Sequence, residues 1–282
     1  MKILVTGSTG FIGSYVIDEL LKYDHEIIAT SRSRSKAIQT SWWNKVKYVE
    51  CDLYSEIDFY SLFDTPELVI HLAWDGLPNY SSLFHFEKNL PASYSFLKNM
   101  IISGVKNIAV LGTCFEYGLK NGCLTEEEIA QPVTAYGLAK DTLRKYLQLL
   151  SAQYQFSFKW IRLFYVYGKN QNEKSLIPKI DAAIENNQEV FNMSGGEQLR
   201  DYLPVEKVAE YIVKIALQTE TMGIINCCSN QPISIRKFVE DYLHQRNSEM
   251  KINYGYYPYA EHEPMAFWGD DTKLKTILKE VK

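Results

Sequence analysis

The feature that most constrains this chain lies at its start. Residues 2–6 form a short apolar run that leads into Thr6-Gly7-Ser8-Thr9-Gly10-Phe11-Ile12-Gly13. An amphipathic stretch follows over 11–22, with apolar residues at 12, 16, 17, 20 and 21. A buried strand, a glycine turn and a helix in immediate succession leave free backbone N–H groups at the helix N-terminus. Their partial positive charge suits a phosphate. Gly7 permits the tight turn, Gly10 lets the backbone approach a pyrophosphate, and Gly13 lets helix and strand pack closely.

The rest of the chain supplies the context that a lone glycine trio lacks. Further strands are expected at 26–30, 46–51, 68–71, 107–111 and 157–163, with helical stretches near 55–63, 80–102 and 136–153. Strands that alternate with helices pair in parallel, and their almost continuous apolar character indicates that both faces are covered. The expected fold is α/β, a doubly wound parallel sheet of the Rossmann type. The turn reads GxxGxxG, one residue longer than the common dinucleotide fingerprint, and it opens a βαβ unit as that fingerprint does. After Gly168 the rhythm changes to a helix at 175–188, a strand at 189–193, a helix at 204–218 opened by Pro204, a strand at 223–228 and a helix at 233–246. The expected division is a dinucleotide-binding domain over 1–167 and a smaller C-terminal substrate-binding lobe over 168–282. Segments such as 223–229 are candidates to return to the first sheet.

Composition narrows the function. With 30 basic and 34 acidic side chains the net charge is −4, which argues against a nucleic-acid surface. No apolar run approaches 18 residues, so no membrane span is expected. The N-terminus lacks the basic, apolar and small-residue pattern of a secretory signal. Five cysteines stand at 51, 114, 123, 227 and 228 without a CxxC. Neither a disulfide framework nor a metal site is expected, and the chain is expected to be cytoplasmic.

Two further places carry chemistry. An acidic residue after the second strand would bind the ribose 2′-hydroxyl of NAD. This chain has Ala29-Thr30-Ser31-Arg32-Ser33-Arg34 there. Ser31 and the Arg32 guanidinium suit a 2′-phosphate, so NADP(H) is favoured over NAD. Further on, Tyr136 and Lys140 stand four residues apart, on one helix face. A neighbouring ammonium favours phenolate and so lowers the tyrosine pKa toward general acid/base work. Thr113 lies 23 residues before Tyr136, just past the strand at 107–111. That is the strand end where α/β folds bind ligands, and its hydroxyl can hydrogen-bond a carbonyl or alkoxide.

These motifs occur in order with Asp52-Leu53, His71-Leu72-Ala73, Tyr117-Gly118, Arg162, Tyr167-Gly168 and Arg200-Asp201-Tyr202. Together they make the chain resemble an extended short-chain dehydrogenase/reductase of the nucleotide-sugar epimerase/dehydratase family. The resemblance implies that Tyr136 is the acid/base, that Lys140 binds the nicotinamide ribose and that Thr113 polarises the sugar carbonyl. It implies a cofactor held by Gly7, Thr9, Gly10, Phe11, Ile12 and Gly13, bordered by Asp52 and Leu53 at the adenine. Leu72, Ala73 and Trp74 would line it, with Asn89 behind the site. Cys114, Phe115 and Tyr165 fall at substrate positions, and Arg200 matches the arginine that grips the nucleotide diphosphate. The structural alternative for Arg200 is an ion pair with Asp201.

Departures from the family pattern sharpen the expected reaction. The Asp-Glu pair of the 4,6-dehydratases is replaced by Cys114 and Phe115, and Glu116 is expected to point elsewhere, so elimination of water is discounted. An exchangeable NADP(H) suits net reduction. The resemblance is to dTDP-4-keto-6-deoxyhexose reductases, which make deoxysugar donors for surface polysaccharides such as O-antigen. The alternative is a 4-epimerase of a UDP- or dTDP-sugar with tightly bound NAD. A non-catalytic, cofactor-sensing role is the third possibility, disfavoured by the intact Thr–Tyr–Lys set. Relatives dimerise through helices equivalent to 80–102 and 136–153, so a homodimer is expected.

Overall fold

The computed structural model describes all residues except 56, 261, 262, 281 and 282. Seven strands pair in parallel: β1 (Lys2–Thr6), β2 (Glu26–Ser31), β3 (Lys47–Glu50), β4 (Leu68–His71), β5 (Asn107–Thr113), β6 (Ser157–Leu163) and β7 (Gly223–Cys227). They lie in the order β7-β6-β5-β4-β1-β2-β3. Val5 of β1 is opposite Ala29 of β2 on one side and Ile70 of β4 on the other. The strand order reverses between β1 and β4, the kind of crevice in which α/β sheets bind ligands.

The sheet's apolar strands are explained by helices on both faces. Ile3 and Val5 point to a core shared with α1 (Phe11–Leu20), α5 (Val205–Leu217) and α7 (Thr272–Glu280), including Val16, Leu20, Ile212 and Ile277. Leu4, between them, points to the opposite core with α2 (Leu90–Ser103) and α3 (Ala135–Ser151), including Phe96, Met100, Leu143 and Leu147. Each such buried aliphatic side chain contributes roughly 1.5–3 kcal/mol.

Two expected helices are shorter than the sequence suggests. The stretch from 80 does not start a helix. Gly76, Pro78, Asn79 and Ser82 make successive turns, a π-type turn runs over His85–Asn89, and α2 begins at Leu90 with Pro91 in its first turn. The helix expected near 55–63 is reduced to one turn, Phe59–Leu62, capped by Asp58, and residue 56 lies outside the described residues.

Beyond Gly168 the chain does two things. Residues of α5, β7 and α7 complete the layers of the central sheet, β7 pairing with β6. By contrast, α4 (Leu176–Glu185), α6 (Ile235–Gln245) and the paired strands Val190–Asn192 and Lys251–Asn253 enclose a separate cluster around Ile180, Val239 and Leu243. Among the described residues no helix is long and apolar enough to cross a membrane.

Candidate active site

The ends of β1 and β4 are tied together before any ligand is considered. Thr6 Oγ1 accepts from the backbone N–H groups of Leu72 and Ala73, each at 3.2 Å. Its own proton therefore goes to His71 Nδ1 at 2.9 Å, which leaves His71 Nε2–H to donate to Ser93 Oγ at 3.2 Å. Burial, with a further push from Lys140, lowers the His71 pKa to about 3, so the ring is neutral and structural.

Over this seam the glycine turn forms the floor of a cleft of about 280 Å³. Gly7 has φ +69°, and a Cβ there would lie 2.8 Å from the Ala73 nitrogen. A Cβ on Gly13 would collide with the Gly7 carbonyl oxygen. Both glycines are thus needed for the close approach of backbone to backbone. Gly7, Thr9 and Gly10 line the floor, Ser31 and Arg32 one end, and Asp52 and Leu53 the neighbouring wall. Leu72, Ala73, Trp74 and Asn89 line the side after β4. A glycine turn at the N-terminus of α1, with Arg32 and Lys36 at the rim, fits a dinucleotide.

Three expected contacts lie outside the lining of this cleft. Phe11, Ile12 and Gly13 are absent from the lining: Ile12 packs on the core, Phe11 lies edge-on to Tyr15, and Gly13 works through packing. Arg34 turns away and sits 5.3 Å over the Trp43 ring. A second cation at this end comes instead from Lys36, two residues beyond Arg34.

The reactive groups meet beyond Trp74. Thr134 caps α3 by accepting from Gly137 N at 3.1 Å. A Cβ on Gly137 would lie 2.7 Å from the Phe115 carbonyl, so the start of α3 is pressed against the turn at Cys114–Tyr117. This brings Tyr136 beside the Thr113 hydroxyl, which favours the phenolate. One turn later Lys140 is buried, its Nζ donating to the Leu111 carbonyl at 2.7 Å and standing 4.0 Å over the Trp74 ring. Burial lowers the Lys140 pKa to about 7, against an upward pull from Glu116. Burial also pushes the Tyr136 phenol up, and the neighbouring Thr113 hydroxyl pulls it back only in part. The lowered phenol pKa expected from the ammonium is therefore not found: desolvation of the buried phenol dominates.

Trp74 is itself held. Its Nε1 donates to His85 Nδ1 at 3.1 Å, and His85 Nε2 donates to the Asn79 carbonyl at 2.8 Å. Trp74 thus separates the glycine cleft from Tyr136, whose ring is 6.1 Å away.

Glu116 points behind the site. Its carboxylate accepts from Thr113 N at 2.9 Å, Trp160 Nε1 at 2.8 Å and Arg162 Nε at 2.8 Å, with all four residues buried. It fixes the backbone that carries Thr113.

Cys114, Phe115 and Tyr165 line a small recess with Glu263 and Phe267. Burial pushes the Cys114 thiol well above its ordinary range. Arg200 is fully buried between the rings of Tyr165 and Phe267, at 5.4 and 5.0 Å. Its carboxylate partner is Glu263, at 2.8 Å, and its Nε has no hydrogen-bond partner among the described residues. The alternative pair with Asp201 does not form. Asp201 accepts from Ser229 N at 2.8 Å, Ser229 Oγ at 2.7 Å and Asn230 N at 2.9 Å. Neighbouring residues in extended chain face opposite ways.

Sequence reasoning missed Lys36, Tyr54, Asp75, His85 and Glu263. Asp75 carried a usable signal, since it follows the expected cofactor-lining residues after β4. Glu263 carried none.

Comparison with known proteins agrees with this fold. The model of the NAD dependent epimerase/dehydratase family matches residues 3–228. The chain is 31% identical over 270 residues to dTDP-6-deoxy-L-talose 4-dehydrogenase (NAD(+)) of Aggregatibacter actinomycetemcomitans, covering 95% of this chain and 99% of that one. It is 23% identical over 272 residues to dTDP-4-dehydro-6-deoxyglucose reductase of Escherichia coli, covering 89% and 84%. The solved UDP-N-acetylglucosamine 4-epimerase from Methanobrevibacter ruminantium M1 shares the fold, with a TM-score of 0.86 at 24% identity over 98% of this chain and 91% of that one. With a family match over most of its length and the glycine cleft and Thr–Tyr–Lys group in place, this chain is an enzyme of the NAD-dependent epimerase/dehydratase family.

Proposed function

We propose that the protein is an NADP(H)-dependent reductase of a nucleotide-linked 4-keto-6-deoxy sugar, working in either direction between the C4 ketone and alcohol. The observation that carries this is Tyr136, beside Thr113 and one turn from the buried Lys140, with its ring 6.1 Å from that of Trp74, which lines the glycine cleft. The 31% identical relative, a 4-dehydrogenase of a 6-deoxysugar nucleotide by name, supports the substrate class.

A bound nicotinamide would supply hydride chemistry at sugar C4. The chain's own residues do the rest. Tyr136 delivers the proton to O4 as negative charge develops there. The Thr113 hydroxyl orients that oxygen, while its Oγ1 accepts from Phe115 N at 3.3 Å and so keeps its rotor in place. Lys140 as ammonium stabilises the phenolate left on Tyr136 and would hold the nicotinamide ribose. Gly7, Thr9 and Gly10 would hold the pyrophosphate at the N-terminus of α1. Arg32 and Lys36 favour a 2′-phosphate. Arg200 and the recess of Phe115 and Tyr165 would take the nucleotide diphosphate and sugar. Net reduction, without elimination, is supported by Cys114 and Phe115 standing where dehydratases carry carboxyls and by Glu116 being engaged behind the site.

The exposed Ile102, Leu138, Tyr146 and Leu149 on α2 and α3 support pairing with a second copy, measurable by sedimentation. The activity test is NADPH consumption with dTDP-4-keto-6-deoxyglucose and other nucleotide-linked 4-keto sugars. Turnover in the wild type and a loss of about 10³-fold or more in Tyr136→Phe are expected. No consumption with any such sugar would overturn the proposal, and NAD that co-purifies without exchanging would favour a 4-epimerase instead.

A further inference from the structure

The carboxylate that β2 lacks is supplied from elsewhere. Arg32 follows β2 and Asp75 follows β4, and β1 lies between these strands. A link between the two therefore passes over the glycine turn at the end of β1. That link is present: Arg32 Nη2 and Asp75 Oδ2 are 2.5 Å apart. Asp75 is not a wandering loop residue. Its N–H donates to Asn89 Oδ1 at 3.3 Å, its carbonyl accepts from Asn89 Nδ2 at 2.9 Å, and Tyr54 donates to the same Asn89 Oδ1 at 2.7 Å. Arg32 in turn lies 5.9 Å over the Tyr54 ring. Asn89 thus fixes the backbone from which Asp75 reaches the Arg32 guanidinium, which faces the cofactor cleft.

We propose that Asp75 is a specificity-determining residue that sets the balance between NADP(H) and NAD(H) by competing with the 2′-phosphate for Arg32. This rests on the cleft taking a nicotinamide dinucleotide. A 2′-phosphate must draw Arg32 away from Asp75 and then lie near a second anion. A plain ribose leaves the pair intact, and its 2′-hydroxyl can donate to the carboxylate, the role an acidic residue after β2 has elsewhere. The chain is therefore built to bind both cofactors with a modest preference rather than an exclusive one. Side-chain exposures of 51% for Arg32 and 40% for Asp75 limit the size of the effect. An exposed ion pair of this kind corresponds to about a threefold to fivefold change in binding.

The test is equilibrium binding of NADPH and NADH at fixed ionic strength, followed by their fluorescence, for wild type, Asp75→Asn, Arg32→Ala and the double variant. AMP and 2′-AMP serve as competitors that carry no nicotinamide. Asp75→Asn is expected to tighten NADPH and 2′-AMP about threefold to fivefold without tightening NADH or AMP. Arg32→Ala should weaken NADPH and 2′-AMP selectively, and the gain from Asp75→Asn should vanish in the Arg32→Ala background. Equal shifts for both cofactors, or a gain that persists without Arg32, would overturn the role of Asp75. Absence of binding of either dinucleotide would overturn the cofactor assignment on which it rests. No sugar is used, so a failure of the proposed sugar chemistry leaves the result standing.

Discussion

Lys140 is a buried lysine, and replacing it with methionine measures the cost of that burial. A methionine keeps the apolar stem and much of the volume while removing the charge. In the folded, ligand-free protein burial holds the Lys140 pKa at about 7, down from 10.5. At 1.36 kcal/mol per unit, such a shift corresponds to about 5 kcal/mol of destabilisation when the group is charged in both states. Below pH 7 both folded and unfolded chains carry the proton, and the full penalty applies. Between pH 7 and 10.5 the unfolded chain keeps the proton that the folded chain has lost, so stability rises by about 1.4 kcal/mol per pH unit. Relative to Lys140→Met, the wild type should therefore gain about 2 kcal/mol of stability between pH 7 and 9, since at pH 7 the folded lysine is only half deprotonated.

The assay is urea denaturation of both proteins at pH 6, 7, 8 and 9, followed by tryptophan fluorescence. The difference between them cancels groups that titrate alike in both. Glu116, His71, His85 and Tyr136 surround the ammonium and stay in both proteins. Lys140→Met should be the more stable protein at pH 6, with the gap closing as pH rises. A gap that stays flat from pH 6 to 9 would refute a depressed lysine pKa. The physical sense is a trade of stability for function: the Leu111 carbonyl and the Trp74 ring recover only part of what the ammonium loses on burial.

Other predictions test the scaffold of the site. Gly13→Ala forces apart α1 and the turn at Gly7, and turnover should fall about a hundredfold through misplacement of the cofactor, with weaker NADPH binding by fluorescence. Glu116→Gln leaves the Arg162 guanidinium buried without a counter-charge, at a cost of about 3–5 kcal/mol. For a chain of this size that lowers the melting temperature by about 10 °C, read by calorimetry. Glu263→Gln removes the carboxylate that holds Arg200, and dTDP or UDP should bind several-fold more tightly by titration calorimetry, most clearly at low salt.

What was legible in the sequence was whatever has a local cause. Alternation along β1 sends Ile3 and Val5 to one core and Leu4 to the other, and continuous apolarity already required two covered faces. The i,i+4 spacing placed Tyr136 and Lys140 on one side of α3 without any tertiary information. The glycine turn was readable because its geometry is set by the absence of Cβ atoms. What escaped were electrostatic partners, which depend on distant segments meeting. Arg200 stands beside Asp201 in sequence, yet strand alternation sends Asp201 to the turn at 229–230 and leaves Arg200 to a carboxylate 63 residues away. Arg32 looked like an uncompensated cation because the residues around it hold no acid, while its partner arrives from the end of β4. The Tyr136 pKa failed for the same reason in another form. A neighbouring ammonium can be inferred from spacing, but the desolvation that dominates is a property of everything packed around the ring. Composition can state how many charges a chain has, and only the fold decides which of them remain free to meet a ligand.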